Sequence, residues 1–217
     1  MVKQLCVCAL LPSLSTSSSL TLLLHEHEAR KPTNSGRLAA LCLRRSRVVV
    51  VEPAAPSVEA ADPTPAERRR VLLFPGDGAT VLTRGDGPVD LVVPDGTWKQ
   101  VKKMRAKLPS LSALPCVTLP SSLTTSWQLR KETRDGGLST FEAIAAALGI
   151  VEGADVEAAL FALFRVWVDR TLWLRGQKRD DDVEGGIPAA ARLHDPRGGL
   201  PPDAGSTPPP ASSVRSS

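Results

Sequence analysis

A chain of 217 residues with 42% apolar side chains has room for one buried core with tails, and too little for two full domains. With aromatics at 4% and no tyrosine, that core must be largely aliphatic. Lysine and arginine exceed aspartate and glutamate by 27 to 23, a mild basic excess, so the placement of the charges must decide whether a nucleic acid is a partner.

The opening residues MVKQLCVCALLPSLS have the outline of a weak signal peptide, but Pro12 cuts the apolar run short. No apolar run approaches membrane-span length. Cys6, Cys8, Cys42 and Cys116 form no secreted-type disulfide framework, and the last two, among apolar neighbours, read as small core residues. An intracellular setting, cytoplasmic or nuclear, is expected, with no membrane partner.

In chain order, residues 20–25 (LTLLLH) read as a buried strand. A polar turn over residues 31–36 can cap a helix predicted over residues 37–45. Residues 47–51 (RVVVV) form a second, β-branched strand. Residues 52–67, rich in proline and alanine and without periodicity, read as a surface insertion. Strands follow at 71–74 and 89–93, each running straight into a turn, Pro75-Gly76-Asp77-Gly78 and Pro94-Asp95-Gly96-Thr97-Trp98. In the helix after Trp98, Val101, Met104 and Leu108 share one side, with Lys99, Lys102 and Lys103 off that stripe. Residues 116–119 are a fifth strand. Ser139 and Glu142 make a capping box for a helix closing at Gly149, and a longer helix spans residues 155–175. Residues 177–217, rich in Asp, Gly, Pro and Ser, are expected to be disordered. Strands alternating with helices predict a single α/β domain over residues 20–176 with a mostly parallel sheet. A ligand is then expected outside the carboxyl ends of the strands, at the turns after Phe74 and Val93.

Four blocks in one order carry a resemblance. They are His25-Glu26-His27-Glu28 followed by Lys31-Pro32-Thr33-Asn34-Ser35-Gly36-Arg37-Leu38, then Leu73-Phe74-Pro75 with Asp77 and Ala79, then Asp95-Gly96-Thr97-Trp98 before a basic helix, then Leu129-Arg130-Lys131 with Leu138-Ser139-Thr140-Phe141-Glu142-Ala143. Together they resemble the DTW-domain family. The resemblance implies a SPOUT-like, knotted fold and a tRNA-uridine aminocarboxypropyltransferase, using S-adenosylmethionine as cofactor and releasing methylthioadenosine. tRNA would be the partner, with no DNA, and the protein would act as a monomer.

On that reading Asp95, presented on a turn after a strand, is the candidate catalytic group, because uridine N3 is a poor nucleophile until its proton is removed or polarised. The simpler alternative is an Asx-turn capping the next helix. Pro75, Gly76, Asp77, Gly96, Thr97, Trp98, Leu138, Ser139 and Thr140 would line the cofactor, with Gly96 allowing close backbone approach and Trp98 packing on the methionine portion or facing the sulfonium. Asn34, Arg37, Lys99, Lys102, Lys103, Arg130 and Lys131 are the RNA-binding candidates. Phosphate contacts along the helix after Asp95 would position the tRNA without reading sequence, while Asn34 and Arg37 either touch substrate or phosphate or stabilise their turn. His25 and Glu28 match family positions, but His-x-x-Glu with no third ligand nearby does not read as a metal site.

The chain departs from the pattern at its start, where many family members carry two cysteine pairs. Cys6 and Cys8 resemble only the second, so residues 1–19 read as the remnant of a cysteine knuckle, and two thiolates do not fill a tetrahedral zinc site. Trp127 stands where a tyrosine is usual. Two other readings compete: a SPOUT-type RNA methyltransferase, and a catalytically inactive RNA-binding module.

Overall fold

Leucine and valine in unbroken runs make strands that must be covered on both faces, which is the signature of a parallel sheet. The computed structural model, which describes residues 3–31, 33–51, 68–76, 78–123, 125 and 137–195, contains such a sheet. Its strands are β1 (Ser19–His25), β2 (Ser46–Val51), β3 (Arg69–Leu73), β4 (Thr80–Val81), β5 (Val89–Asp95) and β6 (Cys116–Thr118), in the order β2-β1-β5-β3-β6-β4, and all neighbours pair in parallel. β4 was not expected; it has only two residues, both exposed, so it leaves no hydrophobic signal.

The helices are α1 (Glu26–Ala29), α2 (Ser35–Leu41), α3 (Trp98–Lys107), α4 (Pro109–Ser112), α5 (Thr140–Glu152) and α6 (Ala154–Leu174). Leu20, Leu22, Leu91 and Val93 pack with α2, α5 and α6 on one face of the sheet, where Phe141 and Phe164 stack at 4.4 Å between ring centroids. Leu23, Leu72 and Val92 pack with Val101 and Met104 of α3, Leu111 of α4 and Leu108 between them on the other face. No helix among the described residues is long and apolar enough to cross a membrane.

Two helix boundaries differ from expectation for identifiable reasons. α2 begins two residues early because Asn34 caps it, and stops at Leu41 because Leu14 bridges to Leu43 and draws the chain away. α5 does not close at Gly149. A β-carbon there would lie 2.7 Å from the Glu157 β-carbon of α6, so this glycine permits a close helix crossing. The break falls instead at Gly153, whose φ of +124° suits only glycine.

The expectation of disorder needs correction over residues 177–195. α6 ends in a Schellman motif: the Gly176 amide donates to the Trp173 carbonyl and the Gln177 amide to the Leu172 carbonyl. Beyond it, Val183 and Ala191 are buried with Leu5 and Trp173 in a small separate core. Trp173 Nε1 donates to Asp180 at 2.9 Å, and Lys178 pairs with buried Asp169 at 2.5 Å. Isolated apolar residues in a polar stretch look like a solvated tail until their partner, here Leu5, is known. Residues 196–217 and the insertion at 52–67 lie outside the described residues. Deleting residues 177–217 is therefore expected to uncover the Trp173 indole and cost about 2–3 kcal/mol, lowering Tm by about 5–10 °C. An unchanged Tm in a calorimetric scan would show that this small core adds nothing.

Candidate active site at the carboxyl edge of the sheet

The chain leaves β1 through α1 and α2 towards β2, and leaves the adjacent β5 through α3 and α4 towards β6. Connections departing in opposite directions from neighbouring strands open a crevice at their carboxyl ends. Leu24 stands opposite Asp95 in the β1–β5 register, so His25 and Gly96 are the residues that face each other at the rim. A β-carbon on Gly96 would lie 3.4 Å from the His25 β-carbon.

Asp95 continues the side of β5 that carries Leu91 and Val93, and it is buried. One carboxylate oxygen accepts from the Thr140 hydroxyl at 2.7 Å and the other from the Asn34 amide at 2.6 Å. Asn34 also accepts the Arg37 backbone N–H at 2.8 Å and so caps α2. Asp95 therefore ties together the starts of α2 and α5. It does not cap α3: Thr97 does, with Gln100 returning the bond in a capping box. Gly36 is the residue that lets α2 come this close, since a β-carbon there would stand 2.7 Å from an Asp95 oxygen and 3.1 Å from Thr140.

The other side of the rim is aromatic and basic. Trp98, 40% exposed, tilts against Phe74 with ring centroids 5.8 Å apart. The Arg105 guanidinium stands over Phe74 at 5.4 Å, next to Gly76. Lys99, Lys102, Lys103 and Lys107 are exposed along α3. His25 closes the group. Its Nδ1 accepts the His27 backbone N–H at 3.3 Å, and the two imidazoles stack with ring centroids 5.3 Å apart. Its pKa is lowered, by burial first, then by His27 and more weakly by Lys103, against the opposing pull of Glu26 and Glu28.

With this geometry in hand, comparison with known proteins gives a consistent answer. A family model described as "DTW domain" matches residues 1–172. The chain belongs to the DTW-domain family. Proteins named tRNA-uridine aminocarboxypropyltransferase 2 are similar to it. The one from Mus musculus is 32% identical over 161 residues (69% of this chain, 54% of that protein). The one from Macaca fascicularis is 29% identical over 160 residues, with the same coverage. The one from Drosophila melanogaster is 35% identical over 85 residues (38% of this chain, 34% of that protein). The chain thus spans about half the length, or less, of these relatives. No solved structure matches it.

In this DTW domain the expected cofactor residues divide into two groups. Pro75, Gly76, Gly96, Thr97 and Trp98 lie at the turns beside α3, whereas Leu138, Ser139 and Thr140 start α5, on the opposite side of the sheet, where Thr140 holds Asp95. The Ser139 hydroxyl accepts the Glu142 amide and the Ser139 amide donates to the Glu142 carboxylate, so both are spent on the capping box. Asn34, expected to face RNA, is buried and uses both ends of its amide within the protein. Arg37 is exposed and donates to the Ala29 carbonyl at 3.2 Å. Asp77, Trp127, Arg130 and Lys131 lie outside the described residues. Arg105, a member of the basic cluster that the sequence assigns to phosphate contacts, is seven residues from Trp98, a spacing that puts both on one helix face.

The Cys6 and Cys8 sulfurs are bonded to one another, and no group of three or more potential ligands occurs among the described residues. Burial pushes the Cys42 thiol up to about 12, which keeps it a protonated core residue.

Proposed function

We propose that this DTW domain transfers the 3-amino-3-carboxypropyl group of S-adenosylmethionine to N3 of a uridine in tRNA. The observation that carries the reading is the carboxyl edge of β1, β5 and β3, where an exposed indole, a guanidinium and a row of lysines stand along one rim. The relatives' names supply the substrate class. The donor set fits S-adenosylmethionine: Trp98, seated on buried Phe74, offers apolar ring surface, Arg105 a partner for the methionine carboxylate, and the turn at Pro75 and Gly76 an exposed backbone. When bound, that molecule supplies an electrophilic Cγ, so that the N3–Cγ bond forms while the Cγ–S pair stays on sulfur as methylthioadenosine.

The protein's contribution is placement. Lys99, Lys102 and Lys103 hold tRNA phosphates beside the crevice without reading bases. The N3 proton leaves to water at the open rim. Asp95, with both oxygens already accepting hydrogen bonds, acts in this reading as the brace that fixes α2 and α5 rather than as the base.

Incubating the protein with S-adenosylmethionine and unmodified tRNA should yield aminocarboxypropyluridine and methylthioadenosine by mass spectrometry. S-adenosylhomocysteine with methylated RNA would establish the methyltransferase reading instead, and no product at all would leave an RNA-binding module. Trp98→Ala should weaken S-adenosylmethionine binding by about tenfold, the worth of a partly exposed cation–π and packing contact. Its Tm should hardly move, because the indole is 40% exposed. Unchanged affinity by titration calorimetry would remove Trp98 from the cofactor site.

A further inference from the structure

His25 stands at the rim of the crevice, and its hydrogen bonding fixes which nitrogen can act. The chain turns from β1 into α1 at this residue, and Nδ1 accepts the backbone N–H of His27. A neutral imidazole accepting at Nδ1 carries its proton on Nε2. Nε2 has no protein partner among the described residues, and His25 stands beside Gly96, the first residue after β5. The groups that bear on it are Glu26, His27 and Glu28 from its own turn and Lys103 from α3; burial, His27 and Lys103 favour the uncharged ring, which Glu26 and Glu28 oppose.

A neutral N–H donor at this place matches a specific need. As the proton leaves uracil N3, negative charge spreads onto the two flanking carbonyl oxygens. A donor fixed in advance where that charge develops stabilises the transition state more than the ground state. We propose that His25, through Nε2–H, donates to a uracil carbonyl oxygen next to N3. The inference rests on the transfer reading above and adds to it a catalytic residue that acts as a hydrogen-bond donor and not as a base.

The distinction is testable because glutamine reproduces an N–H at the Nε2 position, whereas asparagine places its amide at Nδ1. With unmodified tRNA and S-adenosylmethionine, His25→Ala and His25→Asn should each lower kcat by about 10²-fold, the usual worth of one such donor. KM for tRNA should change little, and His25→Gln should recover most of the rate. In the substrate-free protein at pH 7.5, nitrogen NMR should show His25 neutral, with an accepting Nδ1 and a protonated Nε2. A His25→Gln protein as slow as His25→Ala would overturn the donor role, and so would an Nδ1–H or charged imidazole. Wild-type transfer with undiminished kcat in His25→Ala would overturn the proposal alone. Wild-type protein that transfers nothing would overturn it together with the reading beneath it.

Discussion

Asp95→Asn is expected to slow aminocarboxypropyl transfer by at least about 10²-fold, the effect of losing placement by roughly an ångström in a preorganised site. The carboxylate accepts from Thr140 on one oxygen and from Asn34 on the other, in a buried setting. An amide can keep its oxygen towards Asn34 and turn its NH₂ towards Thr140, whose hydroxyl must then reverse from donor to acceptor. Two charge-assisted bonds become neutral ones, a loss of about 1–3 kcal/mol, so stability should fall together with the rate. Thr140→Val and Asn34→Ala each remove one of the two bonds while leaving the carboxylate intact. If Asp95 is a brace, both should slow transfer in the same direction as Asp95→Asn. If they are fully active while Asp95→Asn is dead, the carboxylate is the base after all, and single-turnover rates against pH would show its titration.

Gly36→Ala should lower stability by about 1–3 kcal/mol, the usual range for forcing a methyl group into a filled site. Two opposing effects have to be weighed. Alanine is the better helix former, by about 1 kcal/mol. The new β-carbon, however, meets an Asp95 oxygen at 2.7 Å, Thr140 at 3.1 Å and Leu22 at 3.2 Å. The oxygen is no free end of a flexible side chain, because Asn34 holds it, so it cannot step aside without breaking that bond. The clash should win, and transfer should fall with it as α2 is pushed off the site. A rise in Tm on chemical or thermal unfolding would show that α2 moves away freely and that the close approach is incidental.

Much of this architecture is legible in the residues. β1, β3 and β5 announce themselves as Leu and Val runs because both faces are covered, β2 as a valine run although it is an edge strand with Val48 and Val50 exposed, and the capping box of Ser139 with Glu142 marks the start of α5. Placement at the carboxyl edge of the sheet follows from the turns that end β3 and β5. The hidden part is who meets whom. Asp95 is 61 residues from Asn34 and 45 from Thr140, so its brace cannot be seen in a local pattern, and a buried Asn in a polar turn looks the same as an exposed one. Side-chain alternation could have separated the two halves of the expected cofactor set, since Asp95 and Gly96 must point to opposite faces of the sheet. Leu5 with Val183 and Ala191 is a similar case: no window of sequence contains both sides of that small core.

The tryptophans also make this protein a convenient optical object. With no tyrosine in the chain, ultraviolet emission excited near 295 nm or below, roughly, is essentially indole emission. Trp98 sits half in water at the rim of the crevice, Trp167 stacks on Phe164 in the main core, and Trp173 is sealed under the segment that follows α6. In a Trp127→Phe background, which removes the fourth indole, solvent relaxation should make Trp98 the long-wavelength emitter and leave Trp167 and Trp173 blue. Quenching by iodide would then follow occupancy of the crevice through Trp98, while a red shift that survives Trp98→Phe would follow release of the α6 cover from Trp173. Ligand binding and local unfolding can thus be followed separately, in one cuvette and without a label.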